Sequence, residues 1–219
     1  MKKKEKNRNW ILIFLSIVLF LFGLAIIGGK YLYIHISRLK NDIKIEEFFD
    51  DPIEAEKEIV ESTIEEKKDE VKPKPVNNEK YLAVLEIPKI KFKRGIYAKN
   101  SKLNNVNKNV YLIKESDMPD KEKGNFILAG HSGTAYFSYF KNLTKLFIDD
   151  SAYVYYGGRR YEYKLVNNYE IDKNGKASII RNGEKTVMTL ITCKHGTEKQ
   201  LVYIFERLEE ENRWIQNII

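Results

Sequence analysis

Cys193 is the only cysteine among 219 residues, and it closes the short apolar, β-branched run Thr189-Leu190-Ile191-Thr192. With no second cysteine to bridge to, its thiol is a liability on an oxidising cell exterior unless the protein uses it. A cysteine attacks as the thiolate. An ordinary thiol pKa of about 8.5 leaves little of that form near neutrality, so a nucleophilic Cys193 calls for a base or cation beside it. Three histidines are available. His35 adjoins an apolar N-terminal segment and is expected near a membrane surface. His195 follows the cysteine by two residues, in the predicted loop Lys194-His195-Gly196-Thr197. His131 stands in Gly130-His131-Ser132-Gly133, directly after Phe126-Ile127-Leu128-Ala129, which reads as a strand running into a turn. A side chain at a strand end is held by the sheet yet remains reachable, which makes His131 the better placed partner and leaves His195 as the alternative. Each residue also has a structural reading, the cysteine as a small buried hydrophobe and the histidine as a turn residue.

The strands that must carry these groups read as short β-type runs: 82–87, 110–113, 126–129, 152–156, 161–166, 187–192 and 201–205. Turn signals such as Gly157-Gly158 and Asn174-Gly175 lie between them, so most neighbours should pair antiparallel. Only Tyr136 to Phe147 reads as helical for long, with Phe140, Leu143, Leu146 and Phe147 on one face. Many short strands and few helices predict a mainly β fold, a closed or nearly closed barrel. Tyr153, Tyr155, Tyr161 and Tyr163 alternate through one hairpin and predict aromatic pairs across it. Alternation in the cysteine strand sets Val187, Thr189, Ile191 and Cys193 on one face and Met188, Leu190 and Thr192 on the other. The cysteine's face is the expected floor of an apolar groove suited to an extended peptide. Ala129 and Ser132 beside the histidine, and Thr192 and His195 beside the cysteine, complete the candidate groove residues.

Ahead of these strands the chain changes character twice. Lys2, Lys3, Lys4, Lys6 and Arg8 precede an uncharged run from Trp10 to Gly29, long enough as a helix to cross a bilayer core of about 30 Å. The run exceeds the apolar region of a signal peptide and ends in Ala25-Ile26-Ile27-Gly28-Gly29 without a clear cleavage site, so an uncleaved anchor is expected. The basic cluster predicts a cytoplasmic tail over 1–9, a transmembrane anchor over 10–29 and everything later outside the cell. Residues 30–80 form a charged, partly helical extracellular spacer, with Ile53, Val60 and Ile64 at helical spacing and Val71-Lys72-Pro73-Lys74-Pro75 extended. Residues 81–219 hold the barrel. The net charge of +7 belongs to the tail and the barrel, because the spacer has an acidic excess. Nothing in the sequence forms a metal-ligand cluster, a phosphate-binding loop or a nucleic-acid motif, so no cofactor, metal or nucleic-acid partner is expected.

Leu128-Ala129-Gly130-His131-Ser132-Gly133 and, about sixty residues later, Thr189-Leu190-Ile191-Thr192-Cys193 resemble the two signature segments of the sortases, cysteine transpeptidases of the Gram-positive cell surface. Leu85-Glu86-Ile87-Pro88-Lys89-Ile90 and Phe140-Lys141-Asn142-Leu143 fall where that family has matching segments, and the resemblance spans Tyr81 to Leu208. It implies an eight-stranded barrel and a thioacyl-enzyme: Cys193 attacks the backbone of an LPXTG-like sorting signal on a secreted protein. His131 carries the proton, and a cell-wall amine or a pilin lysine takes the acyl group. Sortases place an arginine at the start of the strand after the cysteine loop. Here Lys199-Gln200 precedes the apolar run from Leu201, and Gln200 is the expected donor in the arginine's place. Gln200 brings two donor hydrogens but neither charge nor fork; Lys199 brings charge but, one residue away, points to the other face. The missing arginine keeps an inactive, anchored peptide-binding barrel as an alternative, and a cysteine protease or hydrolase is a second.

Overall fold

The computed structural model describes residues 2–50, 80–173, 184–208 and 212–213, with the side chains of 2–9 and 212–213 left aside. Two compact units divide the chain after Asp42.

A single helix, α1 (Lys2–Asp50), contains the uncharged run. From Trp10 on, it is long and apolar enough to cross a membrane, and the apolar stretch is not buried against protein. Trp10 and Tyr31 are each 73% exposed, as a lipid-facing helix requires. These features are consistent with a single membrane-anchoring segment. The helical positions Ile53, Val60 and Ile64, the Pro73–Pro75 segment and Asn174-Gly175 lie outside the described residues.

The second unit starts at Ile43 and holds all the strands. They are β1 (Ala83–Ile87), β2 (Phe92–Ile96), β3 (Tyr111–Leu112), β4 (Asn125–Ala129), β5 (Ser151–Tyr156), β6 (Arg159–Asp172), β7 (Val187–Cys193), β8 (Lys199–Arg207) and β9 (Asn212–Arg213). Eight follow one path, β2-β1-β5-β6-β8-β7-β4-β3, a nearly closed barrel, and the short β9 adds to β6. Its interior is apolar: Leu85, Ile87, Leu112, Phe126, Leu128, Val154, Met188, Leu190 and Phe205 are essentially inaccessible. A satellite cluster outside it joins Ile45 and Phe48 from the end of α1 to Tyr81, Val84 and Tyr97.

Pairing is antiparallel throughout except for β4 with β7, which run parallel. That exception brings the C-terminal ends of the two strands together, as an antiparallel pair would not.

Three sequence expectations need correction. The stretch 136–147 is not a long helix; it is a chain of turns with one 3-10 segment at Leu143–Lys145. The reason lies in where its amides go: Phe140 N–H donates to His131 O at 2.9 Å, and Lys141, Leu143, Lys145 and Leu146 each bond three residues back, which winds a tighter path than an α-helix. Phe140, Leu143 and Leu146 are still buried, whereas Phe147 is 69% exposed. The tyrosines of the β5–β6 hairpin do not pair with one another. Gly157 and Gly158, with φ of 54° and 67°, make a two-residue turn, so every pair opposes an odd residue to an even one: Tyr161 faces Val154 and Tyr163 faces Ala152. Tyr161 and Tyr163 therefore fill the interior, while Tyr153 and Tyr155 lie on the other face, where the Arg160 guanidinium sits over Tyr153 and Tyr155 donates to Glu86 at 3.1 Å. Third, Phe92-Lys93-Arg94-Gly95-Ile96 is a strand the sequence does not announce. Its charges and glycine hide it, and Gly95 is needed because a Cβ there would fall 2.0 Å from the Tyr81 ring.

Candidate active site

The parallel register of β4 and β7 pairs Ala129 with Ile191, and Gly130 N–H still donates to Ile191 O at 3.1 Å beyond the strand end. The paired ends of the two strands therefore lie next to one another, two residues before His131 on one chain segment and two before Cys193 on the other. Two side chains bind the strand ends across the gap. Thr192 Oγ1 donates to Gly130 O at 2.7 Å, and Ser132 Oγ donates to Cys193 O. Cys193 is half-buried, a free thiol at the end of a strand whose preceding residues are all buried.

The backbone of His131 is fixed by its neighbours. A Cβ on Gly130 would lie 2.8 Å from the Phe140 ring, so glycine lets that ring lie flat on the strand end. The same Phe140 supplies the amide that caps His131 O. The imidazole stands 5.3 Å from the Phe137 ring, and its Nε2 is 3.1 Å from Asn107 Oδ1. An amide oxygen only accepts, so this contact selects the tautomer that carries its proton on Nε2. Asn107 was not singled out from sequence. Its signal is the run Asn104-Asn105-Val106-Asn107-Lys108-Asn109, in which Asn104 has an unrelated buried task, bonding both amide groups of Leu112.

Gln200 is the direct cross-strand partner of Cys193 on β8, and directly opposed residues share a face. Lys199 is turned away: its ammonium is 3.6 Å from Glu170, which Lys194 also contacts. The hydrogen bond from Lys194 leads the causes that hold the Glu170 carboxyl below its ordinary range, with Lys199 adding to it. Arg207 lies at the far end of β8, donating to Pro119 O at 2.9 Å.

The other candidate residues spread around this centre. Ala129 and Ser132 are half-buried at the strand end, and Ile191 is 8% exposed on the cysteine's face. Thr189 is on that face but fully buried, donating to Asn125 at 2.9 Å. Thr192 faces the interior and serves as the tie to Gly130 rather than as groove floor. His195 is exposed in the turn closed by Thr197 N–H to Lys194 O.

Cys193 and Gln200 oppose one another across β7 and β8, and the segment holding His131 is tied to the end of β7 by the Ser132 bond to Cys193 O. The family model for the sortase domain matches residues 85–207, more than half of the chain. A Clostridium perfringens sortase D5 transpeptidase is similar in structure at a TM-score of 0.58 and 23% identity, over 77% of this chain and 98% of that one. Sortase C-1 of Actinomyces oris gives 0.54 and 22% over 59% and 73%, and sortase A of Corynebacterium diphtheriae gives 0.55 and 20% over 61% and 63%. No curated protein matches the chain.

Proposed function

The chain belongs to the sortase family, and from that premise we propose that it is a membrane-anchored cysteine transpeptidase acting on secreted proteins with an LPXTG-like sorting signal. The observation that supports the reading is the parallel β4–β7 pair, whose paired residues end side by side two residues before His131 and Cys193, with Gln200 opposite Cys193 on β8. In the proposed reaction the Cys193 sulfur attacks the carbonyl carbon of a backbone amide. The C–N bond breaks, and His131 gives the departing amine its proton. A thioester remains. An incoming amine, from a cell-wall precursor or a pilin lysine, loses its proton to His131 as it attacks, a new amide forms and the thiolate leaves. Gln200 Nε2 donates to the oxygen that gains charge in both steps, an effect worth about 3 to 4 kcal/mol where a single side-chain donor supplies it.

The basic residues before Trp10 favour a cytoplasmic N-terminus, with the anchor over 10–29, a spacer reaching to residue 80 and the barrel outside. Incubating the full-length chain in micelles with a mixed peptide library tests the reading. One or a few peptides should leave an acyl mass on Cys193, released by added amine; no adduct from any LPXTG-like peptide would overturn it. The neutral Gln200 favours one second reading, an anchored barrel that binds peptides without cleaving them. For that barrel, Cys193 would be alkylated no faster than a free thiol.

A further inference from the structure

The two end strands of the sheet, β2 and β3, share no strand ladder among the described residues. Side chains span the seam between them instead. Asn109, 1% exposed, donates Nδ2 to Gly95 O on β2 at 2.7 Å and accepts from Arg94 Nε at 2.7 Å. The Arg94 guanidinium then turns to a third segment: Nη2 donates to Tyr139 Oη at 2.8 Å, with the guanidinium carbon 4.0 Å from the Tyr139 ring centre. Tyr139 Oη in turn donates to Lys108 O at 3.2 Å. One arginine therefore holds β2, the loop before β3 and the turns after His131 in a single network.

The two loops it joins each place a neighbouring residue on His131. Lys108 follows Asn107, whose Oδ1 meets the imidazole Nε2 at 3.1 Å, and Tyr139 precedes Phe140, whose amide caps the His131 carbonyl at 2.9 Å. A single hydrogen bond between an exposed asparagine and a half-buried imidazole constrains little, because water competes for both partners and the loop beneath is free to move. With the Asn107 loop and the His131 backbone tied to one another, the same bond fixes which nitrogen is occupied and how the ring is turned.

We infer that Arg94 and Tyr139 are positioning residues for the proposed transpeptidation: they clamp the Asn107 loop to the His131 loop and thereby set the orientation and tautomer of the imidazole. Neither touches the reacting atoms. The inference rests on His131 as the proton carrier of the reaction proposed above.

The test is imidazole nitrogen NMR on the full-length chain, labelled with 15N-histidine, in micelles and without substrate. Tyr139→Phe keeps the ring under the guanidinium and removes only the hydroxyl; Asn107→Ala is the reference. The clamp predicts that Tyr139→Phe moves the His131 nitrogen shifts and their pH titration in the same direction as Asn107→Ala. The double variant should move no further than Asn107→Ala alone, and His35 and His195 should stay in place. In turnover of a peptide found by acyl capture, Tyr139→Phe should lower kcat by up to about 10²-fold, as for a misplaced catalytic group, with KM little changed.

A Tyr139→Phe variant that lowers Tm while leaving the His131 shifts at their original values would overturn the inference and assign the network to stability alone. Arg94→Lys, which keeps the charge and loses the fork, reads the same outcome where Tyr139→Phe does not fold, and loss of the barrel in both would likewise overturn the positioning role. The nitrogen shifts need no substrate. Coupled shifts in a chain that never acylates Cys193 therefore overturn the transpeptidase reading and keep the clamp, while acylation without coupled shifts overturns the clamp alone.

Discussion

The two halves of the candidate site are built differently. The histidine half is held from inside the barrel: Phe140 packs on Gly130, Thr192 and Ser132 bind the strand ends together, and the Arg94–Tyr139 network backs the loop that reaches the imidazole. The glutamine half ends in an exposed turn, 194–199, whose charged ties are Lys194 and Lys199 on Glu170 and Lys173 on Glu198, at 3.6 Å. Buried packing resists displacement because close-packed side chains leave no room to move, whereas exposed ion pairs exchange with water and salt. His131 is thus rigidly mounted and Gln200 loosely mounted.

The comparison can be broken most sharply at its centre. Cys193→Ala should abolish acyl capture outright, and His131→Ala should lower turnover by about 10² to 10⁴-fold with the fold intact; both are read by mass and by single-turnover kinetics on the captured peptide. If His195→Ala alone stopped the reaction, the rigid half would be the wrong half. Gln200→Ala should cost about 10²-fold in kcat, in line with loss of one oxyanion donor, while Lys199→Ala leaves kcat near its original value. The reverse ranking would move the donor to the opposite face. Gly130→Ala pushes a Cβ into the Phe140 ring and should destabilise the barrel by about 1 to 3 kcal/mol, as overpacking does, measured as a fall in Tm. The smallest effect belongs to Glu170→Gln. Because its carboxyl is held below the ordinary range in the folded chain, its contribution is present above the unfolded pKa and fades as pH falls through the folded value. A pH and salt series of melts should show a slight loss near neutrality that vanishes in acid and at high salt.

What could be read without coordinates follows from the range of each signal. A period of two is local, so the faces of Val187–Cys193 were readable in advance: Met188 and Leu190 fill the core, and Ile191 shares the cysteine's side. An uncharged run is local too, and α1 carries it. The helix expected over 136–147 failed because apolar spacing fixes which residues are buried and not which carbonyl each amide reaches; Phe140 spends its amide on His131. Tyr153, Tyr155, Tyr161 and Tyr163 read as aromatic pairs across a hairpin until a two-residue turn offset them. Arg94 and Tyr139 carried no readable functional signal, since each matters only through contacts with a distant segment.

By itself the sequence determined that one thiol exists, that a histidine follows a strand-like run before Ser-Gly, and that Lys199-Gln200, with no arginine, precedes the apolar run from Leu201. Only the tertiary structure decided that β4 and β7 run parallel, which is why residues about sixty positions apart end side by side. Strand direction depends on the order in which a barrel closes and leaves no mark on local composition, so no reading of either segment alone could supply it.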